Sequence, residues 1–160
     1  LGSYLPTDLD MDADESVTWV IDPGDYKADV LFAFENGRVA RVALSGYVTK
    51  TNRKRLKNAI YGGSKLLFAT VLTEERDLAL VSSDYRLVNF NTSLLKTKTT
   101  NSTQGVQAFT VKGSRTVTMV GTAEEFLGGT ASVEKFRAAS LPSSGSPMKE
   151  TDMKSLFDLE

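Results

Sequence analysis

The chain has 160 residues, of which 41% are hydrophobic and 24% are charged, and its formal net charge is −1. It contains no cysteine and no histidine, which excludes disulfides, thiolate zinc sites and cysteine nucleophiles, and removes the commonest general base and the commonest metal ligand. Neither a signal peptide nor an apolar run of membrane-spanning length is recognisable, so we expect a cytoplasmic protein with no membrane partner.

The chain opens with an acidic segment. From Thr7 to Glu35 there are nine carboxylates and only Lys27 as a base, and one base minus nine acids gives −8. The stretch DLDMDADE has some character of a calcium loop, but it lacks the glycine at the sixth position and the closing glutamate. We therefore predict a solvated connector, followed by a first strand at Val17–Ile21.

Seven further apolar segments are short, rich in β-branched and aromatic residues, and separated by turn residues, which is typical of β-strands. Asn36-Gly37 predicts a two-residue type I′ hairpin turn between the first two of them. Trp19 and the strand phenylalanines are predicted to form the core, whereas Tyr47 is open to either core packing or stacking. The seven predicted strands are Val30–Phe34, Val39–Leu44, Leu66–Leu72, Leu78–Ser82, Arg86–Phe90, Val106–Val111 and Thr116–Val120.

The chain contains an internal repeat. VLFAFENGRVARVALSGYVTKTNRK, from Val30, aligns with LALVSSDYRLVNFNTSLLKTKTTNS, from Leu78, so the repeat spacing is 78 − 30 = 48, and the same spacing places Ala69 on Val117. Each copy consists of a hairpin, a basic loop and a hairpin, and four strands in about 50 residues is the length of one propeller-type blade. Val17–Ile21 would then be the last strand of a preceding copy.

The character of the sequence changes beyond Gly121. SVEKFR, from Ser132, predicts one short helix with that serine as its cap. LPSSGSP (141–147) has the composition of a linker. The last stretch, MKETDMKSLFDLE, is expected to form a frayed amphipathic turn or to stay disordered.

Each copy carries a polar, cationic loop, TKTNRKRLKN in the first and KTKTTNSTQ in the second, and no acid lies between Glu35 and Glu74 or from Tyr85 to Ala123. Lysine and arginine supply charge to phosphate oxygens, while hydroxyls and amides fix the register. Since nothing suggests base reading, the loops predict sequence-tolerant, electrostatic binding of nucleic acid. A solvated loop without a partner, or a nuclear-localisation signal at Arg53–Lys57, is the alternative interpretation.

No catalytic constellation stands out. The carboxylates are plentiful, but none is accompanied by a nucleophile, a histidine or a glycine-rich phosphate loop. We therefore predict no catalytic residue, no metal and no cofactor for this chain.

These motifs resemble two consecutive blades from the C-terminal domain of the A subunit of bacterial type IIA topoisomerases, the DNA gyrase and topoisomerase IV family. The resemblance lies in the hairpin ENGRVARVALS, the loop TKTNRK, and TQGVQ, which opens a later strand. LPTDLDMDADESV and VEKFRAASLPSSG are also similar to segments that flank blades in the clostridia-like members.

The resemblance implies a β-pinwheel, in which four-stranded blades exchange a strand with their neighbours and basic blade edges bend a DNA duplex around the rim. It implies DNA contacts from the TKTNRK loop and from the second loop. Three further cations, Arg55, Lys96 and Lys98, are expected to contact DNA because of the charge of the two loops. The residues expected to face DNA are Lys50, Thr51, Asn52, Arg53, Lys54, Arg55 and Lys57 in the first blade, and Lys96, Lys98, Thr99, Asn101 and Gln104 in the second.

The sequence departs from the family pattern in three ways. It has two blades and an extra strand where the family domain has more blades. Asn101 stands where the family motif TRxTQG has arginine, so we expect a weaker grip from the second blade. The glutamine-arginine-glycine box of gyrase and the catalytic tyrosine domain are absent, which makes the chain more similar to topoisomerase IV, or to a gyrase-like relative without that box.

The predicted fold is thus all-β, with two consecutive four-stranded blades, a strand of a preceding blade, and a short C-terminal helix and tail. The predicted units are 1–27, an acidic connector and strand; 28–76, blade one; 77–123, blade two; and 124–160, a helix, linker and tail.

The resemblance implies a non-catalytic module that binds and bends duplex DNA, within an ATP-dependent type II topoisomerase of the bacterial nucleoid. Its partners would be double-stranded DNA, the ATPase subunit, which is a separate chain, and the remainder of the A subunit. The alternative is an all-β module for protein–protein interaction or self-association with segregated acidic and basic faces, because two blades cannot close a ring and leave exposed edge strands.

Overall fold

The computed structural model describes residues 2–51, 53–128 and 131–153. Almost all of its regular structure is β, as predicted. Two short helices, α1 and α2, and four 3₁₀ turns complete it. The strands are β1 (Asp29–Phe34), β2 (Arg38–Ala43), β3 (Leu66–Leu72), β4 (Asp77–Ser82), β5 (Arg86–Asn91), β6 (Val106–Gln107), β7 (Val117–Gly121) and β8 (Ser146–Pro147). The helices are α1 (Leu5–Asp8) and α2 (Ala123–Phe126), and the 3₁₀ turns are Leu44–Tyr47, Thr92–Leu94, Val133–Phe136 and Glu150–Asp152.

The strands form two four-stranded antiparallel sheets, in the orders β3-β1-β2-β6 and β7-β4-β5-β8. Each sheet therefore takes its fourth, two-residue strand from a segment far along the chain. This is the strand exchange that the sequence resemblance implies. The first sheet consequently draws on both of the ranges predicted as blade one and blade two.

The first hairpin turn differs from the predicted type I′ turn. The amide of Gly37 donates to the carbonyl of Phe34 at 2.9 Å, and Gly37 has φ +80° while Asn36 is not in the left-handed region. The loop therefore has three residues and ends on a left-handed position. Tyr85 occupies the equivalent place in the second hairpin with φ +57°, and its amide donates to Ser82.

The repeat spacing of 48 holds through the first hairpin of each copy, since β1 and β4 begin at positions 29 and 77, and β2 and β5 begin at positions 38 and 86. It then changes. Ala69 pairs with Phe32, and Val120 pairs with the equivalent Leu80, so the spacing there is 120 − 69 = 51. The predicted match of Ala69 with Val117 is therefore wrong, because the second copy has a longer loop before its last strand.

The predicted linker LPSSGSP is instead the second copy of the strand-exchanging segment. Gly105 precedes β6 with φ +67°, and Gly145 precedes β8 with φ +62°. Arg38 donates to the carbonyl of Gly105, and Arg86, its equivalent in the second copy, donates to the carbonyl of Gly145. A linker was the wrong prediction because backbone pairing with β5, and not side-chain patterning, makes this segment a strand.

Three smaller predictions also fail. Val17–Ile21 is not a strand, since it pairs with no strand within the described residues. The predicted strand Val106–Val111 is reduced to the two residues of β6. The predicted helix near Ser132 is one 3₁₀ turn, which the Ser132 side chain does not cap. Of the predicted C-terminal turn, residues 154–160 lie outside the described residues.

The two sheets stack face to face, with Leu31, Leu80 and Phe90 in the buried layer between them. The outer face of the first sheet, which includes Phe32 and Phe34, is covered by the N-terminal segment and by residues near Tyr47. The outer face of the second sheet is covered by C-terminal residues such as Phe136 and Met148.

Trp19, predicted to be core, lies at the margin of the first sheet. It is 43% exposed, and its ring packs edge-on against Phe68 with a centroid separation of 5.8 Å. No helix of the described residues is both long and apolar enough to cross a membrane.

Candidate nucleic-acid interface

The second basic loop, residues 95–105, is fixed along the outer edge of the first sheet. The amide of Lys98 donates to the carbonyl of Arg41 at 2.8 Å, and the amide of Ala43 donates to the carbonyl of Lys98 at 2.9 Å. The hydroxyl of Thr97 donates to Asp29 at 2.7 Å. These bonds hold the backbone against β2 and leave the side chains of Lys96 and Lys98 exposed.

The first basic loop, residues 48–61, begins beside the second. It follows the 3₁₀ turn that contains Gly46. The side-chain Nδ2 of Asn101 donates to the Gly46 carbonyl at 2.9 Å. A Cβ atom on Gly46 would lie 2.5 Å from Asn101 Oδ1 and 3.3 Å from the carbonyl of Thr99. The absence of a side chain at Gly46 is therefore what allows the two loops to meet.

Asn101, which is predicted to face DNA, contacts the turn that precedes the first loop. Its Nδ2 donates to the Gly46 carbonyl, and its Oδ1 is buried and has no hydrogen-bond partner among the described residues. Asn101 therefore joins the loops to each other, while Thr99 and Gln104 on either side of it are exposed.

The base of the first loop is closed by Tyr47, whose hydroxyl donates to the carbonyl of Ala59 at 2.6 Å. Burial raises the pKa of Tyr47 to about 12. Of the two interpretations left open for Tyr47, core packing is therefore the one observed. Beyond it, Lys50, Thr51, Arg53 and Lys57 are exposed, whereas Asn52 lies outside the described residues.

The acidic opening, predicted to be a solvated connector, is largely exposed but folds back onto the first loop. Lys54 Nζ lies 3.0 Å from Asp10, and Arg55 is 3.3 Å from Asp12 and also contacts Glu15. The hydrogen bond to Asp12, followed by the charge of Glu15, raises the pKa of Arg55. Two of the predicted DNA-facing cations are thus already paired with carboxylates.

Five cations of the two loops are exposed and form no ion pair with any of the described residues. They lie on both loops, three in the first and two in the second. These cations are Lys50, Arg53, Lys57, Lys96 and Lys98.

Sequence reasoning missed the group that supports the second loop. Arg41 Nε lies 2.6 Å from Asp29, and its Nη1 lies 2.7 Å from Glu75 and 3.3 Å from the carbonyl of Thr92. Desolvation alone would lower the pKa of Arg41, but the hydrogen bonds to Asp29 and Glu75 raise it. Asp29 and Arg41 lie diagonally across β1 and β2, a cross-strand arrangement that could have indicated the pair.

Within the described residues, the second sheet does not carry a matching cationic edge. Val106 pairs with Val39, and Ser146 pairs with the equivalent Leu87, so positions in the exchanged segments correspond at 146 − 106 = 40. At that spacing, the positions equivalent to Lys96, Lys98 and Asn101 are occupied by the uncharged residues Phe136, Ala138 and Leu141.

The corresponding anchor is kept in the second sheet. The guanidinium of Arg137 donates to Asp77 at 2.8 Å. This bond is equivalent to the one from Thr97 to Asp29 in the first sheet. Among residues 2–51, 53–128 and 131–153, no three carboxylates are grouped so that they could hold a metal ion.

No protein-family model and no curated protein matches the sequence. Solved structures do match. The crystal structure of the C-terminal domain of DNA topoisomerase IV has a TM-score of 0.73 and 15% identity, over 95% of this chain and 52% of that one. The DNA gyrase A C-terminal domain has a TM-score of 0.55 and 15% identity, over 89% of this chain and 56% of that one. The E. coli ParC C-terminal domain reaches a TM-score of only 0.45 at 12% identity, over 61% of this chain and 40% of that one.

The chain thus spans about half the length of the two structures that it matches well. At 15% identity the likeness establishes the fold. The two stacked, strand-exchanging sheets have the fold of the C-terminal domains of DNA topoisomerase IV and DNA gyrase A.

Proposed function

We propose that this chain is a non-catalytic module of the A subunit of a bacterial type IIA topoisomerase, and that it binds and bends duplex DNA through sequence-tolerant phosphate contacts. The observation that carries the proposal is the contact between Asn101 and Gly46. It joins the second basic loop to the turn that precedes the first, at one edge of the first sheet, and cations on one edge can follow one sugar-phosphate backbone. The shared fold supports the same proposal.

The electrostatics of this edge fit a phosphate backbone. Five exposed cations are available on the two loops, and Thr51, Thr99 and Gln104 are exposed polar neighbours that can donate hydrogen bonds to phosphate oxygens. Asp29 and Glu75, which lie near the second loop, are both bound to Arg41, whose charge offsets one of their two negative charges. The second loop itself contains no acidic residue, so its own cations and donors have no competing acid within the loop.

Charge-reversal variants test the proposal. Arg53→Glu with Lys98→Glu changes one cation in each loop. Lys65→Glu with Lys112→Glu is the control and makes the same change in net charge near the hairpin turns, at the opposite end of the sheets. The carbonyl of Lys65 accepts a hydrogen bond from the amide of Glu35 there. Fluorescence anisotropy with two duplexes of unrelated sequence measures affinity.

We expect the first variant to lose at least about tenfold in affinity for both duplexes, equivalent to about 1.4 kcal/mol, and the control to lose much less. Equal losses from both variants would contradict a defined edge, because net charge alone would then explain binding. A loss for one duplex and not for the other would contradict phosphate recognition. Energy transfer between dyes at the duplex ends tests bending, which predicts a shorter end-to-end distance in the complex.

We expect the A subunit that contains this chain to have a cleavage domain with a catalytic tyrosine. We also expect it to lie in the bacterial nucleoid and to have a partner ATPase subunit. The coding sequence upstream of Leu1 tests this directly. A cleavage domain encoded there supports the proposal, and an unrelated domain contradicts it.

Self-association is the second candidate, and the exposed apolar side chains of the N-terminal segment favour it. Tyr4 is 72% exposed and Val20 is 77% exposed. Size-exclusion chromatography at low and high salt, with and without duplex DNA, separates the two functions. A dimer that forms without DNA and persists in high salt would favour self-association, whereas a monomer that shifts only with DNA favours the DNA-binding module.

A further inference from the structure

The N-terminal acidic segment occupies part of the same surface that the proposed function assigns to DNA. We call residues 8–16 the acidic strap. Its carboxylates reach the two adjacent cations at the centre of the first loop, Asp10 pairing with Lys54, and Asp12 and Glu15 with Arg55. These are the only ion pairs of that loop within the part of the chain that the structure describes.

The strap has a local conformation that presents its carboxylates together. The side chain of Glu15 accepts a hydrogen bond from the amide of Asp12 at 2.8 Å, which closes a turn, and the same oxygen contacts Arg55. The amide of Met11 donates to the carbonyl of Pro6 at 2.8 Å. Three negative groups are thereby directed at the centre of the loop, as successive phosphates of a nucleic acid would be.

The strap faces the first sheet and the first loop across an open cleft of about 560 Å³. Leu9 and Met11 of the strap line this cleft together with Phe32 and Ile60. Leu9 remains 38% exposed. The ion pairs are exposed as well, with 50% of the Lys54 side chain and 48% of the Arg55 side chain accessible to solvent. Exposed ion pairs are weak and screened by salt, so a strap held this way can be displaced.

We propose that the acidic strap is an intramolecular phosphate mimic that competes with DNA for Lys54 and Arg55. This inference rests on the proposed function. Carboxylates and phosphates accept the same charge-assisted hydrogen bonds from lysine and arginine, so the two cannot occupy these cations at once. DNA held only by the other loop cations leaves the strap closed, and a duplex that engages the whole first loop must open it.

The competition has a signature in the salt dependence of binding. A phosphate contact normally releases condensed counterions, which gives a slope of about −0.9 per contact in a plot of log affinity against log salt. Lys54 and Arg55 cannot contribute to that slope while the strap holds them. Removing the strap's charges should therefore steepen the slope by about 1.8, in addition to raising the affinity.

The test compares two triple variants of the full chain with the same net charge. Asp10→Asn, Asp12→Asn and Glu15→Gln remove the three carboxylates that contact the loop. Asp8→Asn, Asp14→Asn and Asp22→Asn are the control, because these exposed residues lie in or near the strap but form no ion pair with the described residues of the first loop. Anisotropy titrations with one duplex are made at several salt concentrations.

We expect the strap variant to bind about three- to tenfold more tightly than the control at low salt, and with the steeper slope. Equal affinity and slope in the two variants would overturn this inference while leaving the proposed function intact. Absence of binding by the unmodified chain and by both variants would overturn the proposed function, and this inference with it. As a measurement that needs no DNA, trypsin should cleave after Arg55 faster in the strap variant than in the control, and equal cleavage would contradict a closed strap.

Discussion

Replacing Arg41 by methionine is the perturbation that most directly examines how the second loop is supported. Arg41 joins Asp29, Glu75 and the carbonyl of Thr92, and only 17% of its side chain is exposed. Methionine keeps an apolar stem of similar length, so the substitution removes the charge and the donors more than the packing.

The expected loss follows from the exposure of each partner. The bond to Asp29, which is also 17% exposed, is a part-buried charged hydrogen bond whose loss amounts to about 1.5–3 kcal/mol. Glu75 is 43% exposed, so its pair adds less than about 1 kcal/mol. The free energy of unfolding, measured by urea denaturation, should therefore fall by about 2–3 kcal/mol.

Arg137→Met is the matched control, because Arg137 bonds Asp77 at the equivalent place in the second sheet. Arg137 is 37% exposed and Asp77 is 35% exposed, so this change should lower the stability by less than Arg41→Met does. Equal losses from the two variants, or a loss below about 1 kcal/mol for Arg41→Met, would refute the claim that burial makes the Arg41 group the stronger support.

The same variant predicts a change in pH dependence. Hydrogen bonds from Thr92 and then from Arg41 lower the pKa of Glu75 in the folded chain below its ordinary value of 4.5. A lowered folded pKa contributes stability that is present above pH 4.5 and is lost as the pH falls below it. Stability of Arg41→Met should therefore fall less steeply with acid than that of the unmodified chain, because only Thr92 then holds the Glu75 carboxylate.

Two further predictions concern single positions. Gly105→Ala should lower the stability in urea by at least about 2 kcal/mol, because its φ is +67° and a Cβ would overlap the carbonyl of Val39; Gly113→Ala, with φ +64° and open space, should lose only about 1 kcal/mol. Similar losses at the two glycines would show that strand exchange does not require the close approach at Gly105. Tyr47→Phe should lose about 1 kcal/mol through the bond to Ala59. Ultraviolet titration should find Tyr47 protonated well above pH 10, because burial raises its pKa to about 12. The contribution of the protonated Tyr47 to the free energy of unfolding should be lost as the pH rises towards about 12. Ionisation of Tyr47 near pH 10 would contradict its burial.

The hairpins could be predicted from the sequence because their signal is local. β1, β2, β4 and β5 alternate apolar side chains towards two faces, and the repeat places β4 and β5 at the positions that β1 and β2 occupy in the first copy. The exchanged strands have a weaker signal, so β6 was predicted too long, as Val106–Val111, and β8 was predicted as a linker. Each has only two residues and is defined by backbone pairing and a preceding left-handed glycine.

The candidate site divides in the same manner. The cationic inventory of the loops can be read from composition, whereas its partial neutralisation cannot, because Arg55 and Asp12 lie 43 residues apart and share no periodic pattern. The contact of Asn101 with Gly46 is equally non-local, at 55 residues. A family motif favours Asn101 as a phosphate ligand, but packing between the loops decides its partner.

The proposed function requires that one edge, bearing the exposed cations of both loops, holds a duplex by its phosphates. The salt dependence of duplex affinity for the unmodified chain measures these phosphate contacts. Contacts from Lys50, Arg53, Lys57, Lys96 and Lys98 give a slope of about −4.5 in log affinity against log salt, the same for duplexes of unrelated sequence. A slope near zero, or one that depends on the sequence of the duplex, would contradict the account.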